Sequence, residues 1–219
     1  MKNILFVLSF FSILITNAQT LEAQSTVGTV TSMNDLFTKH LTNSNNEEIS
    51  GNPFLFQNWE NTGVVYSEGN THSLKKLNYN IFSDDIGALK GKDSVLIYDK
   101  VKIDSFLINK KMFKKYYKSF YEVIYNGSKI VLLKKYEVNI VEGMFNPIDG
   151  TKEKSRFKTT DDFYIKKGND IVKYVPSKKT ISSIFDEHSD LVKKFIKKNK
   201  LSLKKEKDLI QIFKYYDQL

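Results

Sequence analysis

Three histidines, two pairs of adjacent aspartates and a few serines are the residues of this 219-residue chain whose types could do chemistry. His40, His72 and His188 have the donor type for zinc. No two share the i, i+4 spacing that sets paired ligands on one helix face, and there is no cysteine to complete a tetrahedral set or to act as a thiolate nucleophile. Asp84-Asp85 and Asp161-Asp162 have the groups for an acid and a base, or for calcium ligands. Neither pair has the Asp-x-Asp-x-Asp-Gly rhythm of an EF-hand, and turns favour aspartate because its carboxylate bonds the local backbone. Ser177, Ser182 and Ser183 stand near expected helix starts, where capping accounts for them. Gly-x-Ser-x-Gly, the Walker glycine loop and Gly-x-Gly-x-x-Gly are all missing from the sequence. No catalytic residue, metal set or cofactor site is assigned, and the reading leans away from an enzyme.

What remains with functional content is charge. The formal balance is +9, and residues 166–219 hold fourteen lysines against seven acidic residues. Lys193, Lys194, Lys197 and Lys198 fall on the polar side of an amphipathic helix and are the candidate anion- or partner-binding residues. A face of one sign attracts anionic surfaces over roughly a Debye length, ~8 Å at physiological salt. An anionic envelope lipid, an acidic polysaccharide or an envelope protein would answer it. The competing account is a solvated polar face, which every amphipathic helix needs. Nucleic acid is disfavoured, because Arg156 is the lone arginine beside 33 lysines and arginine is the usual reader of base edges.

The compartment follows from the first residues. Met1 and Lys2 give a positive start, residues 4–15 are apolar, and Thr16-Asn17-Ala18 presents small residues for a signal peptidase. Residues 1–18 read as a secretory signal peptide cleaved before Gln19. The apolar run of about a dozen residues is short of the ~20 a spanning helix needs, and no transmembrane segment is expected after cleavage. The expected location is periplasmic or extracellular.

The elements that must position the lysines read as follows. Residues 19–50 are a polar, flexible arm, with a helical turn over 33–41 and linker over 42–48. Residues 51–175 carry short aromatic and β-branched runs between turn residues, the mark of antiparallel sheet. Phe54-Leu55-Phe56 opens it. Asn126-Gly127 suits a two-residue type I′ hairpin or a close variant, and Gly168-Asn169 marks a second hairpin. After Pro176 the period becomes helical. Ile181, Ile184 and Phe185 form a short stripe behind a cap at Ser177. Ser189 is placed to cap a helix with Leu191, Val192, Phe195 and Ile196 on one face, and Asn199 to stop it. Leu209, Ile212, Phe213 and Tyr216 then repeat at i, i+3, i+4 and i+7. The fold class expected is α+β: a mainly antiparallel β-sheet domain over 51–175, a meander with a curved or barrel-like closure left open, followed by a short C-terminal helical hairpin packed on it over 176–219.

The order of these features resembles that of small exported proteins of Gram-negative bacteria. The residues that carry the likeness are Gly63 to Val65, Leu77, Tyr79, Asn80 and Asp84, the aromatic hairpin of residues 120–135, and the Lys-rich helical pair of residues 195–216. The resemblance implies the layout and no activity. The function expected is that of an exported, non-catalytic binding or envelope-associated module. The alternatives are a carrier whose curved sheet encloses a lipid or other apolar ligand among its Phe and Tyr side chains, and an enzyme without a recognisable motif.

Overall fold

The longest strand pair of the chain, eleven residues against eleven, is the axis of the fold. The computed structural model describes residues 28–32, 49–92 and 94–219. The expected signal peptide, the turn over 33–41, the linker over 42–48 and His40 lie outside the described residues. The strands are β1 (Gly28–Ser32), β2 (Thr62–Ser67), β3 (Asn70–Lys75), β4 (Leu77–Asn80), β5 (Asp85–Lys90), β6 (Ser94–Tyr98), β7 (Ile103–Ile108), β8 (Lys111–Tyr116), β9 (Ser119–Asn126), β10 (Val131–Val141), β11 (Arg156–Lys167) and β12 (Asp170–Lys173). Helices α1 (Lys178–Phe185), α2 (Ser189–Lys198) and α3 (Glu206–Asp217) complete it. The fold is α+β.

Every strand pair is antiparallel. The larger sheet has the order β12-β11-β10-β9-β8-β7-β2-β3: a six-stranded meander with the β2–β3 hairpin added beside β7. It is open, with β3 and β12 at its edges, so of the closures the sequence left open the barrel is not the one formed. The smaller sheet, β1-β6-β5-β4, takes β4, β5 and β6 from the chain between β3 and β7. Its strand β1 comes from within the segment expected to be a polar arm.

Alternation along β10 shows how the larger sheet is covered. Leu132, Lys134, Tyr136 and Val138 point to one side, since successive side chains in a strand alternate. Leu132 joins Ile130, Ile165 and Tyr174 in a core with Ile181, Ile184, Phe185, Val192, Leu209, Ile212, Phe213 and Tyr216 of the helices. Val138 joins a second core with Val65, Phe106, Ile108, Phe113 and Phe120, closed by Leu77, Tyr79, Ile81 and Ile86 of the smaller sheet and its turn. Helices and smaller sheet thus cover two ends of one face. The aromatic residues considered as a cavity lining pack ring on ring: Phe106 stacks on Phe113 at 4.6 Å, and Phe120 meets Phe106 edge-on at 5.1 Å.

Local chemistry accounts for the joints. Glu68-Gly69 and Asn109-Lys110 close two-residue hairpins with positive φ at both central positions, the type I′ requirement. Asn126-Gly127 does not form the turn expected of it. Neither residue has positive φ, and residues 127–130 make a four-residue loop. Gly127 is needed there for space: a Cβ would lie 2.6 Å from Tyr125 Cε1 and inside the contact distance of the Asp217 carboxylate. Gly168-Asn169 does join β11 to β12 as a two-residue hairpin. Phe54-Leu55-Phe56 forms one bridge, Phe54 to Asn80, and no strand. The buried Asn78 amide takes the place of a strand there, accepting from Phe56 N–H at 3.2 Å and donating to Phe56 C=O at 2.9 Å.

Three helices stand where a hairpin was expected. Ser177 caps α1, its hydroxyl accepting from Thr180 N–H at 3.0 Å. Ser189 is the first residue of α2 and caps nothing, because a 3₁₀ turn over Asp186–His188 leads directly into that helix.

Candidate anion-binding groove

Between α1, α2 and the chain that leaves α2 lies a groove of about 750 Å3. Its geometry begins in the sequence Asn199-Lys200-Leu201. Lys200 adopts φ +53, its N–H reaches the Lys197 carbonyl at 3.3 Å, and the Leu201 N–H reaches the Ile196 carbonyl at 3.0 Å. This is the Schellman pattern, with lysine in the left-handed position that glycine usually takes. The turn brings Leu201 and Leu203 back beside Ile196, and with buried Ile181 they form an aliphatic floor. Lys178, Lys179, Lys193 and Lys197 complete the lining, with Ser182. Asp190 holds Lys193 at 3.2 Å, whereas among the described residues Lys178, Lys179 and Lys197 have no carboxylate partner.

Of the four lysines named from sequence, Lys193 and Lys197 line the groove. Lys194 and Lys198 are exposed outside it, one residue further round α2, a rotation of about 100°. Lys178 and Lys179 were missed, and so was the floor. A helix end followed by Leu-x-Leu was the available signal, because the residue after the left-handed position in a Schellman turn contacts the last turn of its own helix.

Structure accounts for Asp84 and for the Asp161-Asp162 pair. Asp84, at φ +57 in the β4–β5 turn, accepts from Tyr79 O–H at 2.6 Å and from Phe120 N–H at 3.3 Å, with Lys100 at 3.7 Å. Burial, with Asp84 beside it, pushes the Tyr79 phenol far up, so it stays a donor. Asp161 and Asp162 are neighbours in β11 and point to opposite faces, one toward Lys134 at 3.8 Å and the other to Lys173 at 2.6 Å. They share no site. His72 lies exposed in β3, and His188 lies 3.6 Å from Glu187. Among the described residues no group of three metal-ligating side chains converges.

A polar band that no local pattern announced crosses the covered face between its two cores. Glu122, 5% exposed, accepts from Lys111 Nζ at 2.7 Å and from Tyr136 O–H at 2.6 Å. Lys134 bonds Glu206 in the first turn of α3 and lies over the Phe163 ring at 5.1 Å. Burial and the Glu122 contact raise the Tyr136 phenol, which keeps its proton. The charges here are mutually satisfied, which is the condition for burying them. The band joins the α3 end of the helices to the sheet.

A search of known proteins adds no relative: no family model, no curated protein and no solved structure matches the chain. No helix of the described residues is long and apolar enough to cross a membrane.

Proposed function

We propose that the chain is an exported, non-catalytic binding module of the cell envelope, of the kind it resembles in Gram-negative bacteria. Its partner is an anionic lipid, engaged at the helical groove. The observation that carries this reading is the pairing of a lysine rim with an aliphatic floor in one groove. A phosphate headgroup answers the rim, and the first methylenes of an acyl chain answer Ile181, Ile196, Leu201 and Leu203. An acidic polysaccharide would use the rim and leave the floor without a role. Export rests on Lys2, the apolar run and Thr16-Asn17-Ala18.

The test is vesicle binding. Each lysine near an anionic leaflet is worth about 1 kcal/mol. Changing Lys178, Lys179, Lys193 and Lys197 together to Gln should therefore weaken binding to phosphatidylglycerol vesicles by on the order of a thousandfold. Changing Lys194 and Lys198 should weaken it less per residue. Adding salt should reproduce the loss in the unaltered protein. Equal losses per lysine at all six positions would reduce the groove to a general positive surface. Binding to soluble acidic polysaccharide but not to vesicles would replace the lipid.

A further inference from the structure

The larger sheet has a gap in it. Strands β9 and β10 pair only as far as Glu122 and Lys134, although β9 begins at Ser119 and β10 runs on to Val141. Beyond that point β9 pairs with β8 alone and β10 with β11 alone. The two-residue turn at Tyr117-Lys118 sets Ser119 against Tyr116 of β8, so the backbone of Phe120 faces the gap. Its N–H donates to Asp84 at 3.3 Å, and a carboxylate thus stands where a β10 carbonyl would be. By the same alternation the N–H and C=O groups of Tyr136 and Val138 turn into the gap, where no strand pairs with them. A cavity of about 270 Å3 occupies the opening, with Ser119 on one side, residues 135–139 on the other, and Ile81, Phe82 and Asp84 behind.

Two features decide what enters. The charges at the cavity are matched in pairs, Glu137 with Lys135 at 3.9 Å and Asp84 with Lys100 at 3.7 Å, so a charged ligand would have to compete with a partner already in place. The groups left over are uncharged and offer both donors and acceptors. They are the Ser119 hydroxyl and the Asn139 amide, which bond nothing among the described residues, and the backbone of Tyr136 and Val138. Opposite them Ile81, Phe82 and Val138 make an apolar wall. The complementary ligand is compact and neutral, donates and accepts at several points on its rim, and has an apolar side. We infer that the gap binds a neutral sugar unit, its hydroxyls on Ser119, Asn139 and the freed backbone and its ring C–H groups on Phe82 and Ile81. The volume is below the ~300–1,000 Å3 of sites for drug-sized ligands, so it takes one ring and not a chain. The cavity shares no residue with the lysine groove, and the inference does not rest on the lipid reading.

Amide resonances of the isotope-labelled protein, expressed from its full sequence and used as the host delivers it, provide the test. The probes are glucose, galactose, mannose and N-acetylglucosamine, with glycine and inorganic phosphate as charged controls. The resonances of Phe120, Tyr136 and Val138 should move and saturate with at least one of the four sugars, and should not move with either control. Ser119→Ala with Asn139→Ala should weaken that binding at least tenfold while circular dichroism is unchanged. Gln at Lys178, Lys179, Lys193 and Lys197 should leave it intact, even where it abolishes binding to anionic vesicles. An oligosaccharide of the same unit separates the two sources. Binding as tight as that of the free sugar makes the ligand the end of a glycan chain, and weaker binding makes it a free sugar; both support the site. No shift with any of the four sugars, equal shifts with glycine or phosphate, or sugar shifts that persist at full strength in the double variant would each overturn the proposal.

Discussion

Gly127→Ala tests the account of the loop that replaced the expected Asn-Gly turn. Its backbone has no positive φ, so alanine is not excluded by conformation. The cost should come from space. The new methyl would meet Tyr125 Cε1 at 2.6 Å and the Asp217 carboxylate closer still. That carboxylate is the clamp between the end of α3 and the loop. It accepts from Tyr125 O–H at 2.9 Å, Ser128 N–H at 2.8 Å and Lys129 N–H at 3.0 Å. Forcing it aside loses most of this, and three charge-assisted bonds at a partly exposed site are worth about 2 kcal/mol together. Gly127→Ala and Asp217→Ala should each cost about 2 kcal/mol, yet the double variant should cost about 1 kcal/mol less than their sum, because the clamp can be lost only once.

Urea unfolding of the four proteins measures this coupling. The pH dependence gives a second reading. Partial burial pushes the Asp217 carboxyl up, but the Lys129, Ser128 and Tyr125 donors outweigh it and hold it below the ordinary carboxylate value. Its contribution is complete above the unfolded-chain value of about 3.9 and is lost as pH falls through the lower folded value. The gap between unaltered protein and Asp217→Ala should close over that acid range. Strict additivity, or a gap indifferent to acid, would refute the clamp.

Two further substitutions probe the helical core. Tyr174 is buried, its hydroxyl has no hydrogen-bond partner among the described residues, and desolvation pushes the phenol up to about 12. Tyr174→Phe should therefore be neutral or stabilising by about 1 kcal/mol in urea unfolding, and a loss of 1 kcal/mol or more would show an unrecognised partner. Phe213, 1% exposed, should cost about 3–4 kcal/mol when cut to Ala, whereas half-buried Phe195, stacked on Tyr215 at 4.1 Å, should cost about half of that. Equal thermal shifts would put Phe195 in the core as well.

The stripe of α3 was fully legible. Leu209, Ile212, Phe213 and Tyr216 repeat with the helical period, and all four are buried. In α2 the same reading overreached. Val192 is the buried residue, Leu191 is exposed, Ile196 faces the groove and Phe195 stacks on the Tyr215 ring. Periodicity finds a face and says nothing of how much of it the neighbour covers. Asn126-Gly127 was misread because a turn signal is local and the Asp217 carboxylate is 90 positions away in the chain. Glu68-Gly69 and Asn109-Lys110 took the type I′ geometry instead, Asn109 with its amide tied to Asn61 at 2.6 Å. The groove was half legible. Lysines on α2 were visible as a polar face, but the floor was signalled only by Leu-x-Leu after a helix end, and the α1 lysines join it through the packing of α1 on α2, which no local pattern displays.

Lys134 and Tyr136 break the apolar alternation of β10 at its centre, where a core-facing strand should be least tolerant of charge. Two lids cover the face, and a seam has to run between them. Helices and smaller sheet cannot interdigitate across it, so water and unpaired backbone would collect there if the seam were apolar and loosely packed. A band of Lys111, Glu122, Tyr136, Lys134 and Glu206 closes it with mutually satisfied groups. Lys111 and Glu206 are partly exposed, so removing one partner costs less than the roughly 3–5 kcal/mol of a fully buried pair, but still more than the intact pair adds. The band therefore contributes little net stability, yet it penalises any shift of α3 along the sheet, because displaced helices would leave Lys134 buried without Glu206. The charges that look misplaced in β10 fix where the helical layer sits, and with it the position of α2 and its groove.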